Sequence, residues 1–274
     1  MYSSESTAVH TDFKSPVLTI LHTNDFHNHL SEMQAEKLRI MRLELGNRGL
    51  LLDAGDAVGS GNITFLPGGE PILDKMNTAG YDAMTVGNRE FHFSAMGFRA
   101  KLSRAKFPIL CANITLNKPT AASDSALSGQ IEGLPVSSHK LFETTAGKVL
   151  VFGLTVPMIT ARMAVRKVSA SLFEDPVSFA SKFVPHLRAQ YHPDLLIALT
   201  HIGIKQDHIL AERVPGIDLI ISGHTHVVLE EGEIVGDSMI VQTGCFGRSY
   251  GVIEVYSDCS AANGYRYRAR LEAL

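Results

Sequence analysis

The chain alternates between short, wholly apolar runs and longer stretches in which apolar residues recur every three or four positions. The first pattern marks buried strands and the second amphipathic helices. Val17 to Leu21 opens the series as a strand, by its β-branched and apolar content. Residues 32–45 set Met33, Leu38, Met41, Leu43 and Leu45 among charges and predict a helix closed by Gly46 or Gly49. Leu50 to Asp53 is a second strand, 59–69 a glycine-rich loop, Glu70 to Ala79 a helix ended by Gly80, and Asp82 to Val86 a third strand. A helix over 94–105 and a strand over Phe107 to Cys111 follow. Such a βαβαβα order with short connections predicts a mostly parallel sheet covered by helices.

Residues 115–135, rich in Ser, Ala, Pro and Gly, predict a surface loop, and 141–154 predict a hairpin turning at Ala146-Gly147. Residues 157–170 are irregular and basic, with Arg162, Arg166 and Lys167 and no acid. Helices over 175–190 and 205–213 alternate with strands over 194–199 and 217–221, and the remainder reads as strands over 239–242, 250–256 and 265–271. Strands thus fall into one group before residue 112 and another after 139. Two sheets stacked face to face with helices outside would bury both groups, an α/β fold of four layers. Residues 1–15 read as a loose tail and 16–274 as a single domain.

The polar positions that interrupt this pattern are concentrated where strands end. Asn24-Asp25-Phe26-His27, Gly55-Asp56, Gly87-Asn88-Arg89-Glu90-Phe91-His92, Thr200-His201 and Gly223-His224-Thr225-His226 each follow a buried run. In open α/β sheets that end of the strands carries the chemistry. Of twelve histidines, His22, His27, His201, His224 and His226 sit at or just after the ends of apolar runs, which packing does not require.

Composition narrows the function classes. An apolar share of 45% and a charged share of 19% are those of a globular chain, and a net charge of −3 gives no nucleic-acid footprint. No apolar run reaches the roughly 20 residues that span a bilayer, and the polar N-terminal stretch lacks a signal pattern. The three cysteines, Cys111, Cys245 and Cys259, are odd in number and widely spaced, so reduced, buried thiols in a cytoplasmic protein are expected.

Asp25 and His27, two apart in an extended segment, would point to one side and could share a metal such as zinc, manganese or iron. Asp56 is either a turn residue or a ligand freed by the turn at Gly55, and Asp53 could cap or orient its neighbours. His224 and His226 directly after a buried strand are the strongest metal signal, and His201 ends its strand alike. Asn88 offers a neutral oxygen. Seven candidate ligands exceed one ion and suffice for two. A pair of metals about 3.5–4 Å apart is the usual arrangement for phosphoester hydrolysis, with a bridging hydroxide as nucleophile.

The segments Leu21 to His27, Gly55 to Ser60, Met76 to Asn88, Phe107 to Asn113, Leu199 to His201 and Asp218 to His226, in this order, resemble the calcineurin-like metallophosphoesterases, and among them the catalytic domain of the 5′-nucleotidase branch. The resemblance implies a four-layer α/β/β/α sandwich of two mixed sheets and a phosphohydrolase acting on a small phosphoester, nucleotides included. It implies two divalent ions (Mn, Zn or Fe), one on Asp25, His27, His226 and bridging Asp56, the other on Asp56, Asn88, His201 and His224. The family places a histidine directly after the asparagine and, in the nucleotidase branch, an aspartate two residues after the glutamate; here those places hold Arg89 and His92. Arg89 cannot be a general acid but can clamp phosphate oxygens. His92 is a candidate proton donor, or merely packs or caps the next helix. The changes also admit a catalytically weak metal-binding regulatory or scaffold protein, and the same metals would serve a sulfate or thiosulfate ester. The nucleobase-binding C-terminal domain of secreted nucleotidases is not expected in this chain, so any base selectivity comes from loops (61–69, 115–135 or 157–170), from another subunit or not at all, and Arg162, Arg166, Lys167 and Arg248 are candidates for a second phosphate or a diester.

Overall fold

The computed structural model describes residues 15–117, 131, 133–261 and 263–274. The expected N-terminal tail, save its last residue, and most of the expected 115–135 loop lie outside the described residues. The elements are β1 (Leu18–Thr23), α1 (Glu32–Leu45), β2 (Gly49–Asp53), α2 (Ile72–Ala79), β3 (Ala83–Thr85), α3 (Ala95–Leu102), β4 (Ile109–Leu110), β5 (Ile114–Leu116), β6 (His139–Thr144), β7 (Gly147–Thr155), β8 (Ser171–Phe173), α4 (Pro176–Tyr191), β9 (Leu195–His201), α5 (Ile204–Arg213), β10 (Leu219–Ser222), β11 (Glu233–Val235), β12 (Ser238–Val241), β13 (Ser249–Ser257) and β14 (Tyr265–Ala273).

Local chemistry fixes the helix boundaries. Ser31 and Gln34 form a reciprocal capping box at α1. Asp175 caps α4, with Pro176 in the first turn. Gly80, at φ 80°, takes the left-handed position that ends α2. No helix among the described residues is long and apolar enough to cross a membrane.

Two six-stranded mixed sheets form, in the orders β14-β13-β1-β2-β3-β4 and β11-β12-β10-β9-β7-β6. Strand alternation distributes side chains to distinct cores. Leu195, Ile197 and Leu199 of β9 pack between the sheets with Ile20, Leu52, Ile221 and Ile253. Leu196 and Ala198 instead meet Val184, Leu187 and Leu210 of α4 and α5. On the far side, Leu21, Leu51 and Met84 pack with Leu38, Met76 and Phe98 of α1 to α3. Helices, sheet, sheet and helices make the four layers.

The division of strands at residue 112 is corrected. β13 returns to pair antiparallel with β1, Leu18 opposite Val255 and His22 opposite Gly251, and β14 continues that sheet outward. The first sheet is therefore closed by the chain's last strands. The expected 115–135 loop begins in strand: β5 pairs antiparallel with β8, which follows the irregular 157–170 stretch, as a separate two-stranded sheet, and β11 is an edge strand with no counterpart in the apolar pattern. All three cysteines are free, but only Cys111 is buried and Cys259 is exposed, which corrects the expectation of buried thiols.

Candidate metal centre

β1, β2 and β3 run parallel in one sheet, and β9 and β10 parallel in the other. The polar segments following these five strands meet across the gap between the sheets. Gly87 and Gly55 make the approach feasible. A Cβ on Gly87 would lie 2.3 Å from Asp56 Oδ1, and one on Gly55 would lie 2.7 Å from Gly87 N and 3.1 Å from His201 Nδ1.

The backbone there is unusual. Eight non-glycine residues among those described have positive φ, and five are candidate ligands: Asp25 at 53°, His27 at 47°, Asp56 at 56°, His224 at 81° and His226 at 56°. Such conformations cost on the order of 1–3 kcal/mol each and gather at functional sites. Asp25 and His27 do share a side, but through left-handed turns and not through the extended segment the sequence suggested. Sharp turns let side chains on successive loops aim inward without lengthening the loops.

One group of atoms comprises Asp25 Oδ1, His27 Nε2 and His226 Nε2. The two imidazole nitrogens lie 3.1 Å apart, at 3.5 and 3.3 Å from Asp25 Oδ1. That oxygen is buried with no hydrogen-bond partner. Two neutral rings can place at most one proton between their nitrogens, so at least one lone pair is turned inward beside an orphaned carboxylate oxygen. A bound cation would resolve this arrangement. Asp25 Oδ2 is held apart from it, accepting from Asn24 Nδ2 at 2.8 Å and the His224 backbone N–H at 2.9 Å.

The second group lies deeper. His201, fully buried, has Nδ1 2.8 Å from the Ala54 carbonyl. Donation there fixes the tautomer and leaves the Nε2 lone pair facing the site. Nε2 is 3.3 Å from Asn88 Oδ1 and 3.5 Å from Asp56 Oδ1. His224 Nδ1 approaches Asn88 Oδ1 at 3.0 Å. Asp25, Asp56 and His201 together also form a cluster that could hold an ion. All seven candidate ligands are thus brought together, and the donor set of imidazoles, carboxylates and an amide oxygen fits divalent metals of the zinc, manganese and iron kind.

The metal-free electrostatics follow from crowding. Burial opposes charge on the His201 imidazole, but Asp56, Asp25 and the Ala54 carbonyl outweigh it and lift its pKa to about 9. Burial likewise pushes Asp56 up, yet His201, the Arg89 amide and His27 hold it below the ordinary carboxylate value. His224 is lowered, first by burial and then by His201. A cation bound by these groups takes the imidazoles neutral.

Residues behind the ligands were less legible in the sequence. Glu90, fully buried, accepts from the backbone N–H of Gly87 and Asp56 at 2.8 Å each and of Val58 at 3.0 Å, tying the β2 and β3 ends together. Burial and the nearby Asp56 raise its pKa. Asn24 bonds to Asp25, Gly244 and Thr243. Asp53 orients its neighbours as expected, accepting from Thr23 Oγ1 at 2.6 Å and Gly55 N at 2.8 Å. Lys101, also buried, donates to the carbonyls of Arg89 at 2.5 Å and Gly61 at 2.6 Å. An acid after a charged strand end was a signal for Glu90; nothing in the helical pattern singled out Lys101.

Arg89 joins the site twice. Its backbone N–H donates to Asp56 Oδ1 at 2.7 Å. Its guanidinium, about a third exposed, donates to the Gly59 carbonyl at 2.9 Å, with Nε 3.7 Å from Asp56 Oδ2. His92 is buried at the entry to α3. Its Nδ1 accepts from Ser94 N at 3.0 Å, and its ring stacks on Phe93 and meets Phe65 edge-on. The basic residues Arg162, Arg166 and Lys167 are exposed.

Comparisons with known proteins bear on the family and the fold. The family model for calcineurin-like phosphoesterases matches residues 18–228. The trifunctional nucleotide phosphoesterase protein YfkN of Bacillus subtilis is 34% identical over 88% of this chain and 18% of its own length. The 5′-nucleotidase of Rattus norvegicus is 31% identical over 89% of this chain and 45% of its own. The chain therefore spans less than half the length of these relatives. The crystal structure of a 5′-nucleotidase precursor from Thermus thermophilus superposes with a TM-score of 0.71 at 24% identity, covering 94% of this chain and 54% of the other. Calcineurin-like phosphoesterases bind divalent metal ions, and the fold, the converging ligand set and the matched span together identify this chain as a member of the calcineurin-like phosphoesterase family.

Proposed function

We propose that this chain is a metal-dependent phosphohydrolase that cleaves a phosphomonoester or phosphodiester, with a nucleotide as the leading substrate class. The observation that carries the reading is the convergence of seven donor residues from five strand ends, five of them on left-handed backbone. Asp25, His27, His226 and Asp56 would hold one divalent ion, and Asp56, Asn88, His201 and His224 a second, as manganese, zinc or iron. When bound, the ions supply Lewis acidity toward the phosphoryl oxygens and activate the attacking water.

The protein's own residues do the rest. Glu90 and Asp53 hold the β2 and β3 ends in register through backbone N–H groups. Arg89, about a third exposed and beside Asp56, offers a guanidinium to the phosphoryl group. His92 Nδ1 accepts from the Ser94 amide, so the neutral ring carries its proton on Nε2 and would offer the leaving oxygen a hydrogen bond from there; full proton transfer would start from the imidazolium and return the ring to this neutral form. The names of the relatives, a nucleotide phosphoesterase and a 5′-nucleotidase, support the nucleotide class.

A second reading, metal binding without turnover, rests on Arg89 standing where the family has histidine. Assays with Mn²⁺ on an aryl phosphate, a bis-aryl phosphate and AMP separate the two. Hydrolysis that a chelator abolishes and Mn²⁺ restores is expected. Absence of turnover with Mn, Zn, Fe and Co alike would establish the second reading.

A further inference from the structure

Phe246 is not a candidate ligand, and the apolar pattern assigns it no element. Three observations set it apart. Its backbone φ is 63°, a conformation that is a genuine outlier for a bulky side chain. It is 39% exposed, although backbone hydrogen bonds tie its loop to the rest of the fold. Its ring centroid lies 5.4 Å from that of His27, 5.9 Å from His226 and 5.0 Å from the exposed His29, so it adjoins the candidate metal centre directly.

The segment that presents the ring is held firmly. Phe246 N donates to the Asp25 carbonyl at 2.8 Å, which links the loop to a candidate ligand. The next residue, Gly247, also has positive φ, at 62°, and a Cβ there would lie 2.4 Å from the His29 carbonyl. Its own carbonyl accepts from Gln34 Nε2 of α1 at 2.9 Å. The ring is thus exposed by construction. A wedge serving only to separate His27 from His226 would gain from burial and would need no strained backbone. The exposed guanidinium of Arg248 lies 5.8 Å from the ring centroid, within cation–π range, adding a cation to the same shelf.

We propose that Phe246, with Arg248 beside it, is a subsite for the planar, aromatic part of the substrate, a nucleobase or an aryl leaving group, next to the point of phosphoester cleavage. Aromatic rings stack on any base because every base has a π-face, and Arg adds to such contacts. The subsite lies in the loop before β13, outside the loops that the sequence nominated for base selection. It rests on the phosphohydrolase reading for its position relative to the chemistry, but not for the binding of the aromatic group itself.

The test compares AMP with ribose 5-phosphate, which shares the phosphoester and lacks the base. In the Mn²⁺-loaded protein, Phe246→Leu should lower the preference for AMP over ribose 5-phosphate by about tenfold, carried by the KM for AMP, while Phe246→Tyr restores it. Metal content, measured in parallel, should match between the variants. An unchanged preference, or a loss of metal that accounts for the whole effect, would overturn the proposal. Saturation transfer by NMR from the protein to the base protons of adenosine provides the second arm, independent of turnover. Transfer in the original chain, lost in Phe246→Leu and kept in Phe246→Tyr, supports the subsite even if no ester is hydrolysed. Absence of transfer in the original chain, or its persistence in Phe246→Leu, overturns it while leaving the phosphohydrolase reading intact.

Discussion

Around His201, ligand atoms have hydrogen-bonded partners behind them. The imidazole is pinned by Ala54, Asp56 by the Arg89 amide, and the loops beneath by Glu90. Around His27 the support is thinner: its Nδ1 and Asp25 Oδ1 are buried without a hydrogen-bond partner, and His226 is exposed. There the geometry comes from left-handed backbone at Asp25, His27 and His226. One half of the centre is organised before any ion arrives. The other holds like groups together in an arrangement that an ion relieves. Preorganisation by outer partners and by the metal itself are two routes to the same donor set, and substitutions should tell them apart.

The largest contrast is expected between His201→Ala and His226→Ala. His201 is buried, and its removal leaves the Ala54 carbonyl unpaired, so hydrolysis should fall by roughly a thousandfold or more, the scale of a lost metal contribution, and added Mn²⁺ should not restore it. His226 is exposed, water can replace it, and activity should recover as Mn²⁺ is raised. Equal rescue of both variants would dissolve the distinction.

Glu90→Ala comes next. Three buried backbone N–H groups lose their acceptor, at about 1–3 kcal/mol for each unsatisfied group, so denaturant unfolding should report a loss of at least about 3 kcal/mol. A loss near zero would mean that the β2 and β3 ends hold themselves. Arg89→Ala and His92→Ala probe the two places where the sequence resemblance leads one to expect a histidine and an aspartate. The first should raise KM by about tenfold, as expected for a lost charge-assisted contact to phosphate. The second should slow substrates with poor leaving groups far more than an activated aryl phosphate, and equal slowing of both would leave His92 as a residue that packs at the entry to α3 and holds its cap, Ser94.

The smallest effect lies away from the centre. Burial, reinforced by His186, lowers the His139 pKa. The unfolded chain therefore takes up a proton there more readily than the folded one. Stability from this group is complete above the unfolded value of about 6.5 and declines as pH falls through it toward the lower folded value. His139→Gln should flatten the stability–pH curve in that window by less than the Glu90 change at any pH.

Much of this is legible because the donor residues interrupt buried runs at strand ends, where packing has no use for them. Asp25, His27, Asp56, Asn88, His201, His224 and His226 all show themselves in that way. Their conformation does not, since Asp and His, though enriched among non-glycine residues with positive φ, adopt it in only a small minority of cases, and extended geometry at Asp25 and His27 is the ordinary default. The return of β13 to β1 is hidden because strand pairing over such a distance leaves no local trace; Ile253 and Val255 would suit either sheet. Glu90 and Lys101 are obscure for a different reason: their partners are mostly backbone groups, which have no identity in the sequence. Phe246 gives no signal because a single apolar residue in a glycine-bounded loop has no periodicity to read.

The central claim is that these seven residues form a dinuclear centre that works on phosphoesters, and Asp56 tests it most directly because it would belong to both ions. Metal content and Mn²⁺-dependent AMP hydrolysis should be measured together on the original chain and on Asp56→Ala. The account predicts about two ions per chain, falling to one or none in the variant with hydrolysis lost. Retention of both ions, or of hydrolysis, by Asp56→Ala would contradict it.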